Sequence, residues 1–340
     1  MVVKVSVIVA VYNVAQYIEQ FARSLFGQTL GDMEYVFVDD GSSDGSMDIV
    51  KELLNEYPHR KEQVKMFYHK ENKGVASTKN EGIRSATGEY LIIADPDDYL
   101  ELNMMEEMYL KAHETDADMV ICDYYQFDEE SAHIETAVPE GVIGNGMNVR
   151  DDIINRRDPP LCFVRLFKRS LFLKDEMVWP VGRFAEDIVY SVITAYYSEK
   201  IVHVDKPLYH YRKHGKSLTY SKDEKACYGR CKGIMENVSI MEGFLKTVGV
   251  TEKYWRGLLI QKIRARNRLL PIVNKMRYRK MWFEVFPEIN RILFWGDKNY
   301  HSTYREKVWF VCIALGLYPW FKKYLGGKHL RPFPEWPVWY

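Results

Sequence analysis

Residues 88–98 read Gly88-Glu-Tyr-Leu-Ile-Ile-Ala-Asp-Pro-Asp-Asp98, so a short apolar run leads directly into three carboxylates. An apolar run of this length between Gly and Pro is typical of a buried strand in a parallel sheet. Three acids within four residues repel one another unless a cation or a hydroxyl-rich ligand compensates their charge. The stretch therefore predicts a core strand that ends in a ligand site.

The chain before this stretch alternates between strand patterns and helix patterns. Short β-branched or aromatic runs predict strands at 3–11, 34–39 and 64–68, and apolar residues at helical spacing predict helices at 14–27, 46–57 and 75–86. Such alternation predicts an α/β fold with a parallel, doubly wound sheet that has helices on both faces. Ligands of these sheets bind at the carboxyl ends of the strands.

Polar residues collect at three of these predicted strand ends. The first strand runs into Tyr12-Asn13, the second into Asp39-Asp-Gly-Ser-Ser-Asp-Gly45, and the fourth into Asp95-Pro-Asp-Asp98. Asp, Gly and Ser are also ordinary turn and N-cap residues, and for Asp44 to Ser46 capping of the next helix is an equally good interpretation. We expect the three loops to meet at one edge of the sheet.

These motifs together resemble the family 2 glycosyltransferases of the inverting GT-A type. The resemblance is carried, in order, by five stretches: Val5 to Asn13, Tyr35 to Gly45, Asn72-Lys-Gly-Val-Ala76, Gly88 to Asp98, and Ala185-Glu-Asp187. It covers roughly residues 3–218. It implies a GT-A catalytic domain at 1–225, with a nucleotide-binding half at about 1–100 and an acceptor half at about 101–225. The change in charge and the helical pattern after residue 225 predict a separate helical region at 226–340.

The resemblance assigns the acidic motif to a divalent cation and the donor. Asp97 matches the family's metal ligand, and Asp95 matches the residue that contacts the ribose or sugar of the donor; Asp98 either ligates through water or orients Asp97. The chemistry agrees, since a cation held by carboxylates acts as a Lewis acid on a departing diphosphate. Mg²⁺ or Mn²⁺ is the expected ion, because both prefer oxygen ligands.

The resemblance places the nucleotide over the first two strand ends. Asp40 matches the acid that hydrogen-bonds uracil, which leaves Asp39 a structural role. Tyr12 resembles the aromatic residue that stacks on the base, and Ala10 the backbone contact beside it. Lys79 stands where many relatives carry an Arg directed at the donor, and it keeps the positive charge without the planar fork of a guanidinium.

An inverting transfer needs a base to take the proton of the acceptor hydroxyl. Asp187 matches the family's base, and Glu186 matches its neighbour that positions the acceptor; acids at this place also favour the N-terminus of a helix. Arg212 and His214 lie in a segment that resembles the family's cover over the diphosphate, where His210 is a further candidate for contact with the metal or acceptor.

The net charge of the chain conceals a strong polarity. With 47 basic and 47 acidic side chains the formal charge is zero, but residues 1–130 carry 11 basic and 26 acidic side chains (−15) and residues 226–340 carry 21 and 8 (+13). Seven of the eight tryptophans also lie in the last segment. A basic, Trp-rich segment is typical of docking at an anionic membrane surface. The alternative is that these rings pack against the catalytic domain or a second subunit.

Residues 308–321 are 14 apolar residues flanked by lysines, fewer than the ~20 that a spanning helix needs. We therefore expect a peripheral protein at the cytoplasmic face of the cell membrane, acting on a polyprenyl-linked glycan as the resemblance implies. A homo-oligomer is compatible with the sequence, and nucleic acid is not an expected partner. No secretory signal is expected at the N-terminus, which reads as a strand. The five cysteines are expected to be free thiols.

The same residues argue against three other functions. A receiver domain would place its acidic pair after the first strand, and a sugar nucleotidyltransferase would open with a glycine-rich loop where this chain has Val11-Tyr-Asn-Val14. A non-catalytic glycan-binding protein of the same fold would lack Asp97 or Asp187, and both are present. The function that the resemblance implies, transfer of a hexose from a UDP-sugar to a glycan hydroxyl, is therefore favoured.

Overall fold

The computed structural model describes residues 2–128, 131–135, 147–155, 161–175, 177–182, 184–214, 223–296 and 304–318. The chain forms two compact units, residues 1–214 and 215–340. The first unit is an α/β sheet with helices, and the second is helical, which confirms the predicted fold class. The sequence placed the boundary near residue 225, whereas the two units divide after residue 214.

The first unit alternates strands and helices through its first hundred residues and then becomes less regular. Its strands are β1 (Val5–Val11), β2 (Met33–Asp39), β3 (Val64–Tyr68), β4 (Tyr90–Ala94), β5 (Tyr99–Leu100), β6 (Met119–Phe127), β7 (Ala132–Glu135), β8 (Arg165–Lys168) and β9 (Ile201–Arg212). Its α-helices are α1 (Ile18–Phe26), α2 (Ser46–Leu53), α3 (Val75–Ser85), α4 (Met104–Thr115), α5 (Met147–Ile154) and α6 (Glu186–Tyr197).

One sheet with the order β3-β2-β1-β4-β8-β6-β9-β5 runs through this unit, and β7 pairs with β6. The first four strands are parallel, and β1 lies between β2 and β4, with Val11 opposite Asp39 and Val9 opposite Ala94. Residues of β1, β2 and β4 are almost all fully buried, because helices cover both faces of the sheet. The loops after these three strands therefore leave the sheet at one edge, as predicted.

The other half of the sheet is mixed rather than parallel. β8 pairs antiparallel with β4 and β6, β5 with β9, and β7 with β6, whereas β6 and β9 are parallel. The sequence predicted a mostly parallel sheet and did not predict these antiparallel pairs. Antiparallel neighbours need no crossover helix, so the strand-helix alternation that revealed β1 to β4 is missing here.

Helix α3 packs closely on β1 through Gly82. A Cβ at this position would lie 2.4 Å from Cγ2 of Ile8, a buried strand residue. We expect Gly82→Ala to lower the free energy of unfolding by about 1–3 kcal/mol, since overpacking outweighs the better helix propensity of Ala. Urea denaturation measures this change. The matched variant Gly243→Ala, on helix α7 (Glu224–Thr247) of the second unit, meets no atom within 4 Å and should be neutral or stabilising by up to about 1 kcal/mol. Equal effects of the two substitutions would refute close packing at Gly82.

The second unit is built from helices alone in its described part: α7 (Glu224–Thr247), α8 (Trp255–Asn267), α9 (Met276–Glu284), α10 (Glu288–Trp295) and α11 (Tyr304–Ala314). Asp223 caps α7 by accepting a hydrogen bond from the backbone N–H of Ala226. The guanidinium of Arg266 lies 3.7 Å from the ring centroid of the fully buried Trp282. This is a cation–π interaction, which is stronger when the cation is buried and the ring is an indole.

Much of the aromatic content of this unit belongs to its own core. Trp309 is buried and its ring lies 5.1 Å from that of Tyr318, and Phe310 contacts the rings of Trp282 and Phe294. These rings pack within the unit itself, whereas the sequence predicted either contact with a membrane or packing against the catalytic domain or a second subunit. Among the described residues, no helix has the length and apolar character to cross a membrane. Residues 319–321 of the predicted apolar segment lie outside the described residues.

Candidate active site

The acidic turn after β4 is anchored by Asp98 rather than by the partly exposed Asp95 and Asp97. Asp98 is buried and accepts hydrogen bonds from the Tyr209 hydroxyl (2.8 Å) and from the backbone N–H of Arg212 (2.7 Å). Burial, followed by the charges of Asp97 and Asp95, raises the pKa of Asp98 well above its usual range. Asp98 thus fastens the turn that carries Asp97 to β9.

Asp97 faces a more open space beside His214. Its side chain is 30% exposed, and its Oδ2 lies 3.0 Å from Nε2 of His214. Arg212 donates from Nε to the backbone carbonyl of Asp97 (2.9 Å) and from Nη2 to Gln20. The guanidinium also lies over the Phe127 ring, 4.7 Å from its centroid. The predicted residues Asp97, Arg212 and His214 are therefore brought together.

This arrangement fits a hard divalent cation. A partly exposed carboxylate stands beside an imidazole, and Nδ1 of His214 is buried without a hydrogen-bond partner in the described part of the chain. No group of three or more His, Cys, Asp or Glu side chains suited to a metal occurs within the described ranges. The protein would then supply one or two ligands, and water and phosphate oxygens the others, which is the usual coordination of Mg²⁺.

Lys79 joins the acid after β4 to the two acids that begin α6. Its Nζ lies 2.7 Å from Glu186 Oε1 and 3.4 Å from both Asp95 Oδ1 and Asp187 Oδ1. Burial alone would lower the pKa of Lys79, but the charges of Asp187, Asp95 and Glu186 raise it well above its usual value. The ammonium is therefore charged, and it bridges the three carboxylates. The sequence had predicted that Lys79 contacts the donor.

Asp187 is held at the first turn of α6 in a partly exposed position. Ala185 precedes the helix with a φ of 63°, and the side chain of Asp187 is 22% exposed. Burial raises the pKa of Asp187 to about 7; Lys79 opposes the shift, and Glu186 and Asp95 add to it. A carboxyl group with this pKa accepts and releases a proton near neutral pH.

The sequence missed the contacts that hold α6 against α3. The Tyr190 hydroxyl donates to Asn80 Oδ1, and Asn80 Nδ2 donates to the carbonyl of Pro180 (3.1 Å). Both side chains are buried. Asn80 follows Lys79 in the chain, and Tyr190 lies one turn after Asp187, so the same two helices carry the charged contact and its hydrogen-bonded support. No pattern in the sequence distinguished these two residues from core residues.

The loops after β1 and β2 form the other end of the site. Tyr12 is 49% exposed, and Ala10 before it is partly exposed on β1. Asn13, with a φ of 53°, accepts a hydrogen bond from the backbone N–H of Ser43 (2.9 Å), which ties the two loops together. The Tyr12 ring is open to solvent, and its stacking on a base stays a prediction.

Asp40 is far less accessible than its predicted contact with a base suggested. It is 3% exposed and accepts backbone hydrogen bonds from Lys73 (2.7 Å) and Gly74 (2.9 Å), and its Oδ1 lies 2.8 Å from His69 Nδ1. An ionised carboxylate has about four lone-pair positions. Three protein donors therefore leave about one position for a ligand. Asp39 is also buried and accepts from the Ser42 N–H (3.2 Å).

His210 is occupied away from the acidic turn. Its Nε2 lies 2.7 Å from Glu101, and its ring stacks between Tyr99 (4.0 Å) and Tyr125 (4.6 Å). The hypothesis of a metal contact through this residue is therefore not supported by its position.

The chain was compared with protein families and with individual proteins. The family described as Glycosyl transferase family 2 matches residues 6–175, half of the chain. Glycosyltransferase GlyG of Streptococcus pneumoniae serotype 4 is 33% identical over 224 residues, which cover 63% of this chain and 72% of that protein. Glycosyltransferase GlyA of the same organism is 28% identical over 247 residues, covering 70% of this chain but 34% of that protein. The chain thus spans about a third of the length of GlyA.

Two solved structures have a similar fold. TarS 1–349 of S. aureus in complex with UDP-GlcNAc has a TM-score of 0.56 at 17% identity and covers 93% of this chain and 88% of its own. The mannosyltransferase PcManGT of Pyrobaculum calidifontis, in complex with GDP-Man and Mn²⁺, has a TM-score of 0.52 at 15% identity and covers 95% and 87%. At such identities the likeness concerns the fold alone. The sequence match is what assigns the family: this chain belongs to glycosyl transferase family 2.

Proposed function

We propose that the chain is an inverting glycosyltransferase that moves a hexose from a UDP-sugar to a hydroxyl group of a glycan, carried on a polyprenyl lipid, in the synthesis of cell-surface polysaccharide. The observation that carries the proposal is the Lys79 bridge. It brings Asp95, at the end of β4, within reach of the same ammonium as Asp187 and Glu186. A donor-side acid and a base near neutral pH are thereby close together.

Asp187 is the proposed base. With a pKa of about 7, it is ionised in a large fraction of molecules at neutral pH and takes the proton of the acceptor hydroxyl as that oxygen attacks the anomeric carbon. The positive charge of Lys79 offsets the repulsion between Asp187 and the neighbouring acids Glu186 and Asp95. Glu186 orients the acceptor beside Asp187. Attack opposite to the leaving diphosphate inverts the configuration at the anomeric carbon.

Asp97 is the proposed metal ligand, and His214 lies beside it. A bound Mg²⁺ or Mn²⁺ would supply Lewis-acid stabilisation of the negative charge that develops on the diphosphate. Arg212 and His214 add positive charge or hydrogen bonds to the same phosphates. Asp98 contributes indirectly, since its hydrogen bonds hold the turn that presents Asp97.

The nucleotide is proposed to lie over the ends of β1 and β2. Tyr12 stacks on the base, Ala10 contacts it through the backbone, and the free lone-pair position of Asp40 accepts the N–H of uracil; Asp95 contacts the ribose or the sugar. UDP is proposed as the nucleotide because Asp40 matches the acid that hydrogen-bonds uracil in the family. The sugar itself depends on the shape of the pocket.

The test is the release of UDP in the presence of Mn²⁺ from a panel of UDP-sugars and GDP-mannose, with a lipid-linked glycan as acceptor. Turnover with one UDP-sugar and not with GDP-mannose supports the proposal. Absence of turnover with every donor, although the protein is folded and the acceptor is present, would refute it.

The second unit is proposed to bind an anionic membrane surface at the cytoplasmic face. Met276 and Lys280 are 77% and 79% exposed and lie one turn apart on α9, so they share a face. Arg279 on the same helix lies beside Gly316, and the neighbouring Leu315 is exposed. Exposed apolar and basic side chains side by side are suited to lipid headgroups.

We expect the double variant Met276→Ser/Lys280→Glu to reduce binding to vesicles with anionic lipid by about tenfold or more, because each basic side chain near such a surface contributes roughly 1 kcal/mol. Flotation of the full chain with vesicles measures this binding. Lys61→Glu, an exposed lysine of the first unit, is the matched control. Undiminished flotation of the double variant would reject this surface as the docking site.

A further inference from the structure

His69 is a buried side chain that contacts three different parts of the first unit. It directly follows β3, and its backbone N–H donates to the carbonyl of Asp39 (2.8 Å). Its Nδ1 lies 2.8 Å from Asp40 Oδ1, and its Nε2 lies 2.8 Å from Glu81 Oε2 on α3. One residue therefore links the loop after β2 to the helix that carries Lys79.

The two side-chain contacts require a proton on each ring nitrogen. An ionised carboxylate only accepts hydrogen bonds, and a neutral imidazole has a single N–H to donate. Burial by itself would lower the pKa of His69, but the hydrogen bonds to Asp40 and Glu81 raise it above its usual value, against a small opposing charge from Lys73. His69 is therefore held as an imidazolium between two carboxylates.

The same carboxylate of Asp40 also holds the loop before α3. The backbone N–H groups of Lys73 and Gly74 donate to its two oxygens. Gly41, with a φ of 77°, lies so close to this loop that a Cβ would be 3.2 Å from the carbonyl carbon of Glu71. His69 thus contacts the carboxylate of Asp40, which holds together the loop after β2 and the loop before α3 at the nucleotide end of the site.

We propose that His69 is a positioning residue for donor binding: as an imidazolium it donates to Asp40 and to Glu81, and so fixes the Asp40 carboxylate and the loop at 71–74 against α3. The inference rests on the proposed function, since it takes Asp40 as the contact of the base. It adds a residue that reaches the donor only through Asp40.

The arrangement makes donor affinity depend on pH. Below the pKa of His69 both hydrogen bonds are present. As the pH rises through that pKa, the ring loses one N–H, and a nitrogen lone pair then faces a carboxylate. The charged groups around the ring are Asp39 and Asp40 from the end of β2, Glu81 from α3 and Lys73 from the loop before it. Affinity for the nucleotide is therefore expected to fall with rising pH.

The experiment measures binding of UDP to the full chain by calorimetry from pH 6 to 9, with steady-state kinetics alongside. His69→Gln keeps one donor but no positive charge, and should raise the dissociation constant of UDP by about tenfold or more below the His69 pKa, with kcat at saturating donor changed less than about threefold. His113→Gln, an exposed histidine on α4, is the matched control. Titration of UDP itself is common to all variants and cancels in the comparison.

Glu81→Gln provides a second variant on a partly exposed residue. Removing one of the two negative partners should lower the pKa of His69, so that the loss of affinity begins at a lower pH than in the wild type. Histidine ¹⁵N resonances, assigned by their loss in His69→Gln, report the protonation of the ring directly and should show two N–H groups at pH 6.5.

UDP binding by His69→Gln with the affinity and pH dependence of the wild type would overturn the inference alone. A neutral His69 ring at pH 6.5 would also overturn it. Failure of the wild type to bind UDP would instead overturn the proposed function, and the inference with it.

Discussion

We expect Asp187→Asn to lower kcat by about 10²–10⁴-fold while the KM for the donor changes only a few-fold. The amide has nearly the shape of the carboxylate but cannot take the proton of the acceptor hydroxyl. It also removes one of the three negative partners of Lys79, whose contacts with Glu186 and Asp95 remain. Initial rates of UDP release with saturating acceptor measure the change.

The wild-type pH profile provides an independent signature of this base. Only the ionised carboxylate accepts a proton, so the rate falls as the pH drops through the Asp187 pKa of about 7, and it levels off above that value. The residual activity of Asp187→Asn should lack this acid limb. Asp205→Asn, an exposed acid on β9, is the control and should keep both rate and profile. Wild-type turnover by Asp187→Asn would refute the assignment of Asp187 as the catalytic base.

We expect Asp97→Asn to lower kcat/KM by about 10²–10³-fold, because one stabilising contact to a developing charge contributes about this much. Its side chain is the carboxylate that stands open beside His214, so its loss should weaken binding of the divalent cation. The wild type should lose activity in EDTA and regain it with Mn²⁺. The variant should need a much higher Mn²⁺ concentration for its residual activity.

The control for Asp97 is Asp48→Asn, a mostly exposed acid on α2 whose activation by Mn²⁺ should match that of the wild type. Wild-type activity that is indifferent to EDTA would remove the metal from the mechanism. If Asp97→Asn requires the same Mn²⁺ concentration as the wild type, the metal ligand is a residue other than Asp97.

The sequence predicted the first four strands and three helices closely, because their apolar periodicity is set by burial on both faces of the sheet. The strand predicted at 64–68 is β3, and the core strand predicted within residues 88–98 is β4. The helix predicted at 46–57 ends earlier, at Leu53, and a short 3₁₀ helix begins at Pro58. Boundaries of this kind depend on local capping, which periodicity does not record.

The arrangement of charges within the site could not be predicted from the same pattern. Lys79 and His69 are polar residues that hydropathy assigns to the surface, yet both are buried, because carboxylates from distant parts of the chain surround them. The resemblance identified Asp40, Asp97 and Asp187 as candidates. It did not indicate that Asp40 is held by three protein donors or that Asp98 anchors the acidic turn.

The uneven charge of the sequence indicated a separate basic segment at its end, but it did not indicate which tryptophans of that segment are exposed. The basic final segment is a helical unit, but Trp282 and Trp309 are buried in its core, since a large aromatic ring buries more apolar area than any other side chain. Exposed residues such as Met276 and Trp295 are accessible for contact with a membrane surface. The membrane proposal therefore depends on these surface residues and not on the tryptophan count.

The most direct measurement is a crystal structure of the protein with UDP and Mn²⁺, with the manganese located by anomalous scattering. We expect the metal peak at roughly 2.0–2.2 Å from a carboxylate oxygen of Asp97, close to the Mg²⁺-like coordination distance, with uracil against Tyr12 and its N–H directed at Asp40. A peak remote from Asp97, or a nucleotide bound away from the ends of β1 and β2, would contradict the proposed donor site.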